Sequence, residues 1–327
     1  MTRIGLFLII AALLVTAVPA RAAKLVYVKG GSVAGTMYAA NADGSARKKL
    51  RRGAYPAISP DGKTVGYVST DFDELQLVSV RGGEILQTAI DDKGLRAPRF
   101  SPNSKLIGVT SNRRLYIDNI RTGAVVRSAP GAIQGWSFSP DSKWVVYAKA
   151  ARGATYPARS DLYVLNPSTG HSTRLTTGQA LLNPLWTARG IVYDQLADAS
   201  VGGFPHFTLQ RRNIEHADVE NVVDNGPTPD DLTSGLVPIA ASKDGNRVLA
   251  SFEGQSRHDP YGVENLSAHL LAQGALIPTD ISRDGSTVLA HTGSGDPSDP
   301  ANVVTITFAG GTPEVIVTGA SWAHWNR

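Results

Sequence analysis

One short phrase recurs along the 327-residue chain and limits its fold more than any other feature. Its fullest form is Tyr55-Pro56-Ala57-Ile58-Ser59-Pro60-Asp61-Gly62-Lys63. It returns as Ala97-Pro98-Arg99-Phe100-Ser101-Pro102-Asn103-Ser104 and as Gly135-Trp136-Ser137-Phe138-Ser139-Pro140-Asp141-Ser142. Weaker copies are Ala241-Ser242-Lys243-Asp244-Gly245 and Ile281-Ser282-Arg283-Asp284-Gly285. The serines at 59, 101, 139, 242 and 282 are spaced by 42, 38, 103 and 40 residues, and the wide gap holds an eroded copy at Asn183-Pro184-Leu185-Trp186-Thr187. Proline presets φ for a turn, Asp or Asn tolerates the next position, and Gly or Ser closes it. A period of roughly forty residues marks units that cannot bury their apolar faces alone and must stack.

Each turn is followed by a short apolar run: Val65-Gly66-Tyr67-Val68, Leu106-Ile107-Gly108-Val109 and Trp144-Val145-Val146-Tyr147. Such runs, bounded by turn residues, read as buried strands. A second half completes each unit. It is clearest at Asp161-Leu162-Tyr163-Val164-Leu165-Asn166, the turn Pro167-Ser168-Thr169-Gly170, and Ser172-Thr173-Arg174-Leu175-Thr176. Four strands per unit is the anatomy of a propeller blade, so the expected fold class is an all-β β-propeller. Inner strands near 57, 99, 137, 185, 240, 280 and 321 give seven four-stranded blades. Six is the alternative, because the stretch from Arg247 to Ile277 is short for a blade. Leu25-Val26-Tyr27-Val28 matches a second strand lacking its first, and Gly319 to Trp325 matches a first strand with nothing after it. Pairing of these ends is expected to close the ring.

Residues 1–22 read as a signal peptide and 23–327 as the propeller domain. A basic start at Arg3 precedes an apolar run from Gly5 to Val18, and Ala20-Arg21-Ala22 fits the small-x-small cleavage pattern. The run is too short for a stable bilayer span, so no transmembrane segment is expected after its removal, and the protein is expected to be periplasmic or secreted. The absence of cysteine excludes disulfides and a lipid-bearing N-terminal Cys. The net charge of +4 drops to +2 without Arg3 and Arg21, too weak a field to argue for nucleic acid.

The Ser-Pro-Asp-Gly-Lys phrase, the strand Asp161-Leu162-Tyr163-Val164 and the ending Arg174-Leu175-Thr176 together resemble the TolB-like propeller repeats. The resemblance covers essentially the whole chain after residue 22. It implies a periplasmic, non-enzymatic scaffold that binds a lipoprotein or another envelope protein at one face of its ring, in envelope integrity or Tol–Pal-type transport. Two departures stand out. TolB carries an α/β domain before its propeller, which contacts an inner-membrane partner, and its propeller has six blades. Related repeats also occur in peptidase-associated propellers and polysaccharide lyases, so the alternative is a propeller enzyme or glycan-binding protein using the same face or the central channel.

Loop length points to one face. The loops joining second to third strands are short at Thr70 to Glu74 and Asn112 to Arg114. They are expected to be long at Ala150 to Ser160, Gln195 to His206, Glu253 to Tyr261 and Gly293 to Ala301. The partner-binding residues read from this wall are Arg152, Tyr156, Arg159, Phe204, His206, Arg257, His258, Asp259, Tyr261, Asp296 and Asp299. No catalytic residue, cofactor or metal is assigned. Asp296-Pro297-Ser298-Asp299 lacks the EF-hand pattern, and the seven histidines show no ligand spacing. His206, His258 and His291 with Asp259 form the one catalytic nucleus that can be entertained, and no Gly-x-Ser-x-Gly elbow is present. The basic run Arg47-Lys48-Lys49-Leu50-Arg51-Arg52 reads as an outer strand whose cations discourage edge pairing. The five tryptophans read as packing between blades.

Overall fold

The computed structural model describes residues 24–31, 34–83, 85–128, 130–151, 159–197, 206–213, 219–223, 235–254, 257–265, 267–293 and 301–327. The expected signal peptide lies outside them. Among the described residues every regular element is a strand. In chain order they are β1 (Lys24–Lys29), β2 (Ala34–Asn41), β3 (Lys48–Ile58), β4 (Thr64–Val68), β5 (Glu74–Ser79), β6 (Ile85–Asp91), β7 (Arg96–Phe100), β8 (Leu106–Thr110), β9 (Leu115–Asn119) and β10 (Val125–Arg127). Then follow β11 (Ile133–Phe138), β12 (Val145–Ala150), β13 (Ser160–Leu165), β14 (Ser172–Arg174), β15 (Leu181–Thr187), β16 (Gly190–Ala197), β17 (His206–Arg212) and β18 (Val219–Val223). The last are β19 (Gly235–Ala241), β20 (Arg247–Gly254), β21 (Arg257–Glu264), β22 (Ser267–Leu270), β23 (Leu276–Ile281), β24 (Thr287–Thr292), β25 (Asn302–Thr307), β26 (Glu314–Thr318) and β27 (Ala320–Trp325).

Five sheets have four strands, and one has seven in the order β27-β1-β2-β3-β4-β5-β6. The large sheet is two blades sharing β3. Its first half pairs with β2 (Thr36↔Arg52, Ala39↔Lys48) and its second half with β4 (Ala57↔Gly66, Ile58↔Val65). The outer strand of blade one therefore runs on as the inner strand of blade two, and the described residues make seven four-stranded blades. The core gives the same count. Among the described residues there are seven separate apolar clusters, one at each blade-to-blade contact. Val26, Val28 and Met37 of blade one, for example, meet Ile58, Val65 and Tyr67 of blade two. A strand buried on both faces has no solvated side, which is why β4, β8 and β12 read as continuous apolar runs.

The stretch from Arg247 to Ile277 that raised the six-blade alternative holds β20, β21 and β22 and is a complete blade six with β19. Closure occurs as expected: β1 pairs antiparallel with β27 through Leu25↔Trp325 and Val26↔His324. Asn326 then locks the seam, its backbone N–H donating to Lys24 O and its side-chain oxygen accepting from the Lys24 backbone N–H. The basic run sits on the outer half of β3, where Lys48, Lys49, Arg51 and Arg52 are exposed, as expected of an edge kept from pairing.

The repeated phrase works as a turn and also as a link between blades. Each serine donates its hydroxyl to the acid or amide two residues on: Ser59 to Asp61, Ser139 to Asp141, Ser242 to Asp244 and Ser282 to Asp284 at 2.6 Å, and Ser101 to Asn103 at 2.8 Å. Where serine replaces glycine at the fourth position, its hydroxyl accepts from the preceding blade. Asp61 N–H donates to Ser104 at 3.0 Å and Asn103 N–H to Ser142 at 3.1 Å. Side chain to backbone bonds of this kind fix the spacing of neighbouring blades.

Candidate functional site

The inner strands do not run straight. In every blade the pairing of the inner strand slips by a residue, as at Ala54/Ala57, Arg96/Arg99, Ile133/Trp136 and Leu182/Leu185. The same slip occurs at Pro238/Ala240, at Pro278/Asp280 and opposite Val26/Val28. The prolines at 56, 98 and 184 have no N–H for the ladder, and a bulge accommodates each of them. The residue at the bulge is left-handed in five blades: Tyr55 (φ 50°), Ala97 (51°), Gly135 (112°), Asn183 (45°) and Trp322 (47°). Left-handed bulky residues are strained, and such residues cluster where the surroundings hold them for a purpose.

These bulges sit toward the face of the second-to-third loops, and there they assemble an aromatic arc. Tyr55 of blade two meets Trp322 of blade one edge to face at 5.1 Å, and Phe72, from the loop before β5, lies 5.9 Å from Tyr55. Trp322 in turn lies 6.3 Å from His291 of blade seven. Tyr55, Phe72 and Trp322 are half-buried, and Phe72 is also left-handed at φ 60°. Burial raises the Tyr55 hydroxyl above its usual pKa, partly offset by the Arg96 guanidinium. His291 is 3% exposed and its Nε2 has no hydrogen-bond partner among the described residues. Burial lowers its pKa, a carbonyl contact with Thr292 opposes this, and the charges of His324 and His258 lower it further. Arg96 completes the mouth, donating to Asn112 at 3.1 Å.

The other end of the channel is a clasp. Asp280 of β23 is 2% exposed and reaches blade one, accepting from the Trp325 backbone N–H at 3.0 Å. It pairs with Arg327 Nε at 2.5 Å, and His324 Nδ1 lies 3.8 Å away. Burial raises the Asp280 pKa, but Arg327 and His324 outweigh it, so the net position is below the ordinary value. Arg99 projects into the channel, donates to Trp136 O at 3.2 Å and lies over the Trp136 ring. Although solvent reaches it, the channel walls and the Arg327 charge bring its pKa down to about 10, with Asp280 opposing. Ser137 repeats the pattern, accepting from Trp186 N–H at 2.6 Å. Arg99, Ser137 and Asp280 occupy equivalent positions and tie the free edge of one inner strand to the next.

The expected wall of long loops is placed only in part. Arg152, Tyr156, Phe204, Asp296 and Asp299 lie outside the described residues. Arg159 is exposed, and its carbonyl accepts from Ala151 N–H. His206 and Arg257 open β17 and β21. One expectation is corrected: Glu253 to Tyr261 is no long loop, because β20 and β21 pair out to Gly254↔Arg257. Asp259 is consequently 3% exposed, and the half-buried Tyr261 packs 6.1 Å from Phe252. Adjacent strand residues point to opposite faces. Asp259 pairs with Phe252 on the face toward blade five, and His258 takes the face toward blade seven. The two cannot converge as a catalytic pair. No group of three His, Cys, Asp or Glu side chains able to hold a metal occurs among the described residues. The sequence reading missed Tyr55, Phe72 and Trp322 as site residues. The available signal was a bulky residue before the recurring proline of the repeat, at Tyr55.

No family model matches this chain, and no curated protein matches it. Among solved structures it is similar to TolB from Acinetobacter baumannii (TM-score 0.55, 15% identity), covering 93% of this chain and 66% of that one. The fold is that of a TolB-like propeller. It is similar as well to the β-propeller domain of the Trilobed protease from Pyrococcus furiosus (TM-score 0.62, 13% identity, 87% of each chain), which has an open velcro topology. The β1–β27 seam closes the ring here. Oligogalacturonate lyase from Vibrio parahaemolyticus also matches (TM-score 0.61, 11% identity, 89% and 86%). At these identities the likeness shows the fold alone. No helix among the described residues is long and apolar enough to cross a membrane.

Proposed function

We propose that this TolB-like propeller is an exported, non-enzymatic interaction scaffold of the envelope, released from its signal peptide after Ala22 and binding an envelope protein or lipoprotein at its long-loop face. The observation that carries this reading is the arc Phe72–Tyr55–Trp322–His291 at the channel mouth. Half-buried aromatic side chains on a rigid ring suit the centre of a protein interface, with Arg96 at its edge. The buried Asp259, turned away from His258, weighs against a catalytic centre in blade six. Membership of a Tol–Pal-type system is the finer form of the same proposal.

Phe72→Gly tests it. Glycine removes the ring and relieves the left-handed backbone, so the fold is retained. The folded chain and this variant are immobilised and exposed to solubilised envelope proteins, and bound species are identified by mass spectrometry. A lipoprotein or peptidoglycan-associated protein retained by the parent and lost by Phe72→Gly is the expected result. Retention of soluble glycan and of no protein would move the function to the glycan-binding alternative.

A further inference from the structure

Seven outer strands ring the propeller, and each has one edge to which no strand is paired among the described residues. One of them differs from the rest. The outer half of β3 carries Lys48, Lys49, Arg51 and Arg52, and Arg47 precedes it, all of them exposed. Little is required to keep an edge from pairing, as the other six outer strands show. β6, β18, β22 and β26 contain no Lys or Arg, and β10 and β14 contain one each. Those single cations are engaged within their own blades. Arg127 lies over the Tyr116 ring at 5.6 Å, and Arg174 pairs with Asp161. Edge protection therefore accounts for one cation in a strand, and not for five among the six residues from Arg47 to Arg52.

Little of this charge is used within the fold. None of the five forms an ion pair with a described residue. Arg47 Nε donates to Gly44 O and Arg51 to Gly83 O, both at 2.8 Å, and each bond leaves the rest of its guanidinium free for solvent. Lys48 and Arg51 lie against the turn Arg81-Gly82-Gly83 of blade two, where a Cβ at Gly82 would stand 3.1 Å from Lys48 Cε. Arg81 on that turn is exposed as well. Two residues beyond Gly83, Ile85 opens β6 and is 38% exposed, one of three large apolar side chains so placed among the described residues. The net charge after residue 22 is +2, so the strip concentrates positive charge that is balanced elsewhere on the chain. A cationic strip bordered by an exposed aliphatic side chain suits a lipid surface, whose phosphates attract the cations while its acyl boundary takes the apolar group.

We propose that the outer strand of blade one docks the propeller by its rim on a membrane of anionic phospholipid. The surface lies away from the aromatic arc and does not depend on the scaffold reading. Co-sedimentation of the folded chain is measured with phosphatidylcholine vesicles and with vesicles that also contain phosphatidylglycerol, and tubes without vesicles control for self-association. Sedimentation with the anionic vesicles alone, declining as salt is raised, is expected. Lys49→Gln/Arg52→Gln is expected to weaken it about 25-fold, at about fivefold per cation. Lys105→Gln/Arg121→Gln, which removes two exposed cations from turns of blade three, is expected to leave it unchanged. All four side chains are exposed, so both variants keep the fold, which circular dichroism checks. Lys49→Gln alone, with its loss of about fivefold, carries the test should the first pair unfold. No preference for anionic vesicles, or equal losses in the two double variants, overturns the proposal. Retention on immobilised polyglutamate without vesicle sedimentation also overturns it and assigns the strand to an acidic polypeptide.

Discussion

Tyr55 and Trp322, from opposite ends of the chain, meet ring edge to ring face with centroids 5.1 Å apart and planes at 86°. The contact joins ring closure to the channel mouth. Trp322 belongs to the strand that closes the propeller, and it also packs on the apolar cluster between blades one and two. Trp322→Ala should therefore cost about 2–4 kcal/mol, while Phe72→Gly, at a half-buried turn where glycine relieves the left-handed backbone, should cost less, about 1–2 kcal/mol. Urea denaturation compares the two. Equal losses would mean that the arc is only core.

The Asp280 clasp predicts acid sensitivity. Its folded pKa lies below the ordinary value of 3.8, so the unfolded chain takes up the proton first. The stabilisation is present above pH 4 and is lost as pH falls through the lower folded value. Asp280→Asn should lower stability by about 2–4 kcal/mol at pH 7, since Arg327 and the Trp325 N–H lose a charged acceptor. Its denaturation midpoint should fall less steeply below pH 4 than that of the parent.

His291 acts in a milder pH range. Its folded pKa is below 6.5, so the folded state disfavours the proton that the unfolded chain accepts. Stability should decline as pH falls below 6.5 and go on declining to the folded pKa. His291→Phe removes the titration and a buried nitrogen without a partner, so it should change stability by less than about 1 kcal/mol at pH 7. The slope between pH 6.5 and 5 should shrink. A proton NMR titration of the His291 ring that gives a midpoint above 6.5 would refute the assignment.

Gly135 holds blades four and five together. It adopts φ 112°, and a Cβ there would stand 2.5 Å from the Asn183 backbone. Gly135→Ala should cost about 2–4 kcal/mol from strain and overlap together. Gly83→Ala, at φ 105° with open space around it, should cost only about 1 kcal/mol, because backbone strain alone remains. Thermal unfolding of both variants measures the difference.

Much of the fold was legible because turn chemistry is local. Ser59, Asp61 and Gly62 act on one another within a few residues, so the five blades that carry the phrase announce themselves. The ends were legible because the closing blade is split between them, one strand from the C-terminal end and three from the N-terminal end. Blade six was obscured because β20 and β21 run on through Glu253 and Arg257, polar residues that resemble a loop in one dimension. Asp259 read as a binding residue for the same reason, and its burial follows from pairing with Phe252.

The amino-acid sequence by itself determined the repeat, the strand order within a blade and the closure of the ring by its own termini, since hairpin turns and apolar runs depend on neighbours in the chain. Only the tertiary structure decided that Tyr55, Phe72, Trp322 and His291 share one mouth, that Arg327 reaches Asp280, and that Arg51 reaches Gly83. Those contacts exist only once seven blades have packed at fixed angles around a common axis, where bulges in the inner strands and close turns between blades set which side chains meet.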